Sequence, residues 1–347
     1  LLNALVEQGQ LIRIGDEVIQ ADYTIISTGS SPLAVSMTGE HTEGFLNNEN
    51  FWTLRRQPRS LVFLGGGVIS AEIGQAMARF GTQVTILDRG DRILRAADEE
   101  VGALATELLA REGIRILTGT EALSCERVDE DTISVTVNQN GARLEYTGEA
   151  IFAAMGRVPN TGGMDLDKAG VAYTAKGITT NEFLQTAAPN IYACGDVTSP
   201  AKFTHIASYQ AAICVDNTLA GNHRVNDLSS VPWTIFTEPE IAHVGISEAQ
   251  ARAQHNNVHV FKVGAGSVDR FVTEGKQDGF LKIVLDKILG ADAIGAHAGE
   301  WIQLLSLAVT QKLPIGAFAD QVFIYPTFSE IVMKSATRYL RSKSTHQ

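Results

Sequence analysis

No two cysteines stand close enough in the chain to make a CxxC or CxxxxC pair. Cys125, Cys194 and Cys214 are widely spaced, which offers neither a zinc site nor a local redox disulfide, and their odd number argues against a secreted disulfide framework. They read as buried free thiols. Long apolar runs are missing as well, since none approaches the ~18 residues of a membrane span. Positive charge is in deficit: 28 Lys and Arg against 39 Asp and Glu leave a net charge of -11, which speaks against nucleic acid or an anionic membrane as the main partner. The opening LLNALVEQGQLIRIGDE has no basic, apolar, small-residue leader pattern, so a cytoplasmic protein is the expectation. At 347 residues the chain exceeds one hydrophobic core, and two or three domains are expected.

What is present centres on SLVFLGGGVISAEIGQAMARFGTQVTILD, residues 60–88. An apolar strand, a glycine turn, a helix, a second apolar strand and an acid follow one another as in a dinucleotide-binding βαβ unit. Gly65 permits the tight turn, and Gly67 leaves no side chain between the backbone and a pyrophosphate at the helix N-terminus. Asp88 is placed to accept hydrogen bonds from an adenosine ribose, which favours NAD. Arg89, Arg92 and Arg95 follow it and could instead hold the 2′-phosphate of NADP. Where a third glycine is expected, for close packing of helix and strand, the chain has Ser70.

Around this unit, residues 11–20 read as a hairpin about Gly15-Asp16, and 23–26 as a strand ending in Ser27-Thr28-Gly29-Ser30. That ending suits a close ligand approach and equally a plain strand-to-loop turn. A helix is expected from Asp98, as cap, to Arg111, then strands at 114–117, 133–137, 144–146 and 150–155. The last strand runs into Gly156, a candidate for a cofactor crevice because ligands sit at the carboxyl ends of strands in doubly wound sheets. TGGMDLDKAG reads as a hinge, and 190–194 as a strand leading to Gly195-Asp196, a loop and a small-residue helix from Thr204-His205. Asp196 could bind a polyol, or could simply cap a turn. From Val231 onward, strands followed by helices suggest an α+β domain whose apolar positions make subunit contacts.

TIISTGSSP, GGGVISAE, ILDRGDRIL with DEE after it, AAMGRVPN, IYACGDV with FTHIA, VPWTIFTEPEIAHVG and YPTFSE occur in this order. Together they resemble the pyridine nucleotide-disulfide oxidoreductase family, over essentially the whole chain from about residue 20. The resemblance implies an α/β fold of FAD- and NAD(P)-binding Rossmann-like domains plus an α+β C-terminal dimerisation domain. Its expected divisions are 1–40 and 161–229 for FAD, 41–160 for NAD(P) and 230–347 for dimerisation. It also implies FAD and NAD as cofactors, NADP less so, and a homodimer with a small-molecule or metal electron acceptor. Thr28 and Gly29 would lie by the FAD, Gly195-Asp196 at its ribityl side, and Lys202, Phe203, Thr204 and His205 beneath the isoalloxazine. Gly65, Gly67, Ser70, Asp88 and Gly156 would fall on the nicotinamide nucleotide, with Ala122 near the adenine. Glu72 matches a Glu that pairs with a Lys near the flavin edge.

Three departures qualify the resemblance. No GxGxxG for the FAD pyrophosphate, no CxxxxC pair and no Lys partner for Glu72 occur, so the resemblance implies a longer parent. Tyr325 stands where the thiol-handling His of the family precedes Pro; an ordinary Tyr, with a pKa of about 10 against about 6.5 for His, is poorly suited to exchange protons with a thiolate. Glu330 keeps the position of the Glu that orients this His. The tail RYLRSKSTHQ lacks the cysteine pair of mercuric reductases. The implied activity is hydride transfer from nicotinamide to flavin and on to an undetermined acceptor, dihydrolipoamide dehydrogenase-like by overall likeness but non-thiol by Tyr325. Tyr325 is equally read as a packing aromatic at the dimer interface. The alternative is a non-catalytic, dimeric nucleotide-binding fragment lacking half its FAD site.

Overall fold

A computed structural model of the chain describes residues 4–7, 11–35, 37, 44–198, 201–255, 257–285 and 287–344. Two compact units result, Leu1–Leu33 with Gly156–Leu228, and Ala34–Met155 with Ser229–Gln347.

In the first unit the expected hairpin forms, Leu11–Ile14 pairing antiparallel with Glu17–Gln20 about Gly15. Strand Thr24–Ile26 pairs in parallel with Ile191–Ala193. Both are short, and Ile191–Ala193 is buried throughout. Ser30–Pro32 pairs antiparallel with Arg157–Pro159, joining two motifs far apart in sequence. The passage read as a hinge is instead core. Met164, Leu166, Ala169 and Val171 are buried with Ile26 and Ile191, so its glycines serve turns between packed apolar residues. Helix Thr204–Ala220 follows and ends at Gly221, whose φ of +78° stops it.

The second unit begins from strand Ser60–Leu64, whose last four residues are buried. It lies inside a four-stranded parallel sheet in the order Ala150–Ala153, Ser60–Leu64, Gln83–Leu87, Arg115–Leu117. Helices Val68–Arg79 and Glu99–Arg111 make the crossovers. Phe63 stacks on Phe152 with ring centroids 4.9 Å apart. Full burial of such a ring contributes about 1.5–3 kcal/mol, with roughly 0.5–1.5 more for the pair. An antiparallel sheet of Thr120–Asp129, Thr132–Gln139 and Ala142–Gly148 is inserted in the chain between Arg115–Leu117 and Ala150–Ala153.

The C-terminal part of this unit is a five-stranded sheet in the order Trp233–Ile235, Glu240–Gly245, Ile288–Gly295, Phe280–Leu285, His259–Gly264. Helices Ala298–Gln311 and Glu330–Ser344 pack against it, giving the α+β character expected. Its strands are not separate from the parallel sheet: Ile235, Ile241, Phe280 and Ile294 share a core with Leu61, Phe63 and Ile86.

Candidate functional site

The strand Ser60–Leu64 ends at Gly65, whose φ of +102° and close backbone neighbour exclude a side chain: a Cβ there would lie 2.6 Å from the Ala154 carbonyl oxygen. Gly67 is the N-cap of helix Val68–Arg79, and a Cβ on it would meet nothing within 4 Å. The first turn of that helix has no acidic residue and no side-chain cap. Unpaired N–H groups and the positive end of the helix therefore face open space, which fits a pyrophosphate. Ser70 is fully buried, and its hydroxyl donates to the Gly65 carbonyl, closing the turn in a way a glycine could not.

Asp88 does more than await a ribose. Its Oδ2 accepts from the Gly66 N–H at 2.6 Å and its Oδ1 from the Gly90 N–H at 2.7 Å, and it is 5 % exposed. The acid thus organises the glycine turn itself. Of the three arginines, Arg92 donates to the carbonyls of Leu94, Arg95 and Ala97, and Arg95 lies 3.5 Å from Asp88 Oδ1; Arg89 is exposed. Ala122 is half-buried on strand Thr120–Asp129, opposite Val137.

In the first unit Asp196 sits in a polar cluster. The Ser30 hydroxyl donates to Asp196 Oδ2 at 2.7 Å, while Arg157 Nε donates to Ser30 Oγ at 2.8 Å and lies 3.9 Å from Asp196 Oδ2. Lys202 Nζ donates to the Arg157 carbonyl at 2.7 Å; desolvation lowers its pKa, opposed by Asp196. Thr28 Oγ1 donates to the Asn160 carbonyl at 2.7 Å and the Asn160 N–H to that of Gly29 at 2.9 Å, so TGSS and GRVPN interlock. Gly156, the exposed residue that opens the second motif, accepts from the Leu33 N–H and belongs to this unit, whereas Gly65, Ser70 and Asp88 belong to the other. Gly195 packs on helix Thr204–Ala220, a Cβ there lying 3.3 Å from Ala207 Cβ. That helix starts at Thr204 and His205 from N-cap Phe203, with no side-chain cap and no acid in its first turn. A positive helix end beside a carboxylate held by hydroxyl and guanidinium fits a polyol bearing a ring that gains negative charge on reduction, as in FAD. Ser30 and Arg157 were not singled out in the sequence, although both lie inside the motifs that point to this site.

The residues read as catalytic all lie in the second unit. Glu72 Oε1 accepts from the Phe236 N–H at 2.7 Å and lines a cavity of about 480 Å³ with Phe80, Phe236, Glu240, Lys276 and His297. Burial pushes its carboxyl above the usual carboxylate range, opposed by the Phe236 bond. Tyr325 is 68 % exposed and donates its hydroxyl to Asp269 Oδ2 at 3.1 Å. Glu330 is buried and accepts from the Thr327 N–H at 3.0 Å, a local bond at the start of helix Glu330–Ser344.

The family described as pyridine nucleotide-disulphide oxidoreductase matches residues 4–213, and its dimerisation domain matches residues 231–336. The chain belongs to this family. Among its relatives, the dihydrolipoyl dehydrogenase of Chlamydia pneumoniae is 33% identical over 96% of the chain and 72% of that protein. The mercuric reductase of Staphylococcus aureus is 32% identical over 92% of the chain, which spans only 59% of that longer relative. Among solved structures, the HOCl-induced flavoprotein disulfide reductase RclA of Escherichia coli is 26% identical with a TM-score of 0.87, covering 96% of this chain and 78% of that one. Relatives of this oxidoreductase are thus flavin-dependent enzymes working with pyridine nucleotides, and its C-terminal part is a dimerisation domain. Among its described residues no helix is long and apolar enough to cross a membrane.

Proposed function

We propose that the chain carries the nicotinamide-nucleotide site, the Asp196 side of the flavin site and the dimer interface of an FAD-dependent NAD(P)H oxidoreductase that prefers NADH and a non-thiol acceptor. The observation that carries this reading is the turn at 65–67, where an uncapped helix end opens on space that a Gly67 side chain would occupy. FAD, when bound, supplies the acceptor for the nicotinamide hydride and passes the electrons on.

The chain's own residues divide the remaining work. Gly67 and the first turn of helix Val68–Arg79 bind the nucleotide, while Ser70 and Asp88 fix the turn that presents it. Asp196, oriented by Ser30 and Arg157, takes the flavin polyol, and the start of helix Thr204–Ala220 stabilises negative charge on the ring. Ala122 serves the edge of the nucleotide. The exposed side chains Val322, Ile324 and Tyr325 supply apolar surface for a second copy. A Tyr325 hydroxyl bonded to Asp269 is held as a donor and not as a base for thiols, which supports a quinone, a metal ion or a second nucleotide as acceptor.

The test is a visible spectrum of the purified protein followed by anaerobic addition of NADH. A flavin band that bleaches with NADH, and less readily with NADPH, supports the reading. A colourless protein that still binds NADH would make it a nucleotide-binding dimer without catalysis. Turnover with dihydrolipoamide matching that with quinones would overturn the non-thiol assignment.

A further inference from the structure

Lys282 lies on strand Phe280–Leu285, all six residues of which are buried, and is itself 3 % exposed. Its ammonium group has three protons and faces three carboxylates: Asp98 Oδ2 at 3.0 Å, Glu100 Oε1 at 2.9 Å and Glu248 Oε2 at 2.7 Å. Two of the three have another cation, Lys262 for Glu100 and Arg252 for Glu248. Among the described residues Asp98 has none but Lys282.

Asp98 caps helix Glu99–Arg111 and ends the loop that begins at Asp88. That loop grips the nucleotide turn at its other end. Asp88 Oδ2 accepts from the Gly66 N–H, and the Leu94 N–H donates to the Gly66 carbonyl at 2.8 Å, so both polar groups of Gly66 are held by the loop. Ile93 closes over the same residue, its Cγ2 standing 2.4 Å from where a Gly66 Cβ would be. Between Leu94 and Asp98 there is little slack, because the Arg92 guanidinium spans the carbonyls of Leu94, Arg95 and Ala97, and Ile93, Leu94 and Ala97 are buried.

We propose that Lys282, reaching from the C-terminal sheet, is a positioning residue for the nucleotide site, acting through Asp98 and the stiff loop that holds Gly66. The inference rests on the assignment of the 65–67 turn as the pyrophosphate site, and it makes dinucleotide affinity depend on a residue of the dimerisation domain that touches no nucleotide.

Two conservative variants separate positioning from mere stabilisation, since each removes one carboxylate from the same ammonium. Asp98→Asn keeps a good N-cap but cuts the loop from Lys282, whereas Glu248→Gln leaves the Lys282–Asp98 pair in place. Affinities for NADH and for ADP-ribose are measured by titration of the full chain, alongside its melting temperature. Asp98→Asn is expected to weaken both ligands by about tenfold, the size of one lost charged contact, with Glu248→Gln within about twofold of the parent. Lys282→Met should match Asp98→Asn, and the double variant should be no weaker than either single one. ADP-ribose affinity unchanged in a folded Asp98→Asn protein, or equal losses in Asp98→Asn and Glu248→Gln, overturns the proposal. If the parent chain binds neither ligand, the pyrophosphate assignment itself has failed. Should Lys282→Met not fold, Asp98→Asn alone decides.

Discussion

The hydroxyl of Tyr325 points at Asp269, donating to Oδ2 across 3.1 Å. This bond stabilises the neutral phenol and raises its pKa above that of an ordinary tyrosine, with the charge of Asp269 and then Glu330 acting in the same direction. The phenol should therefore ionise at higher pH than a free tyrosine. Ultraviolet pH titration of the chain against Tyr325→Phe isolates this group, and Asp269→Asn should move its ionisation down. A Tyr325 that ionises below the usual range would instead be a competent base and would reopen thiol chemistry.

Two neighbouring glycines should respond oppositely to the same added methyl group. At Gly67 a Cβ meets open space and φ is -83°, so Gly67→Ala should keep the fold within about 0.5 kcal/mol while obstructing the backbone approach to the pyrophosphate. At Gly65 the positive φ and the Ala154 carbonyl both oppose a side chain, and Gly65→Ala should cost roughly 1–3 kcal/mol. Urea denaturation paired with NADH titration reads both. A Gly67→Ala protein with parental NADH affinity would remove this turn from the binding site.

Ser70→Ala deletes a hydroxyl that is fully buried and leaves the Gly65 carbonyl without that donor. The expected loss is about 1 kcal/mol in urea denaturation. Ser70→Gly should cost more, since it adds a helix-interior glycine penalty of roughly 1 kcal/mol. If Ser70→Gly proved more stable than the parent, the glycine of the fingerprint would be the better fit and the hydroxyl bond incidental.

The nucleotide unit was legible because its signals are local: an apolar run, glycines and an acid at fixed spacing need only neighbours in sequence to take shape. Asp98 was legible as a helix cap for the same reason. What failed to show was long-range. Strand Thr120–Asp129 alternates poorly, with a run of four exposed residues at its end, and was passed over. Strand Ile288–Gly295 is rich in Ala and Gly and carries Asp292, yet it is an interior strand. Lys282 interrupts an apolar run without any hint that acids from 98, 100 and 248 converge on it. The second job of Asp88, organising the glycine turn, did not show because it depends on the Gly66 and Gly90 N–H groups reaching its oxygens, and residue types alone cannot display those bonds.

Cys194 and Cys214 are 20 residues apart, yet the fold buries them in one cluster, and the Cys214 thiol donates to the Ala193 carbonyl at 3.8 Å. The Cys194 sulfur, then burial, pushes the Cys214 thiol well above the usual range. With Cys125 also buried, all three should resist an aromatic disulfide reagent at neutral pH and react together after guanidinium is added. Fast labelling of any of them in the folded protein would contradict this packing.

The ion cluster around Lys282 gives stability a signed dependence on pH. Glu248 is held below the ordinary carboxylate range by its bond to Lys282 and by Arg252, and Glu100 by its bonds to Lys262 and Lys282. A carboxylate with a depressed folded pKa contributes stability that is present above its unfolded pKa, about 4.3, and lost as pH falls through the folded value. Lys282 has a raised pKa, despite its burial, because of the bonds to Glu248, Glu100 and Asp98; its share is present below the ordinary lysine value and is lost only as pH rises through the higher folded value. At neutral pH Glu248, Glu100 and Lys282 are therefore in their favoured charge states. Lys282→Met should cost about 3–5 kcal/mol there, the range for breaking a buried pair from one side. As pH falls below about 4 the parent gives up its advantage while the variant, whose crowded carboxylates gain from protonation, does not, so the two urea midpoints should converge. A difference that stayed constant from neutral pH into the acid range would mean that the lysine stem, by packing alone, and not its charge, holds this corner of the fold.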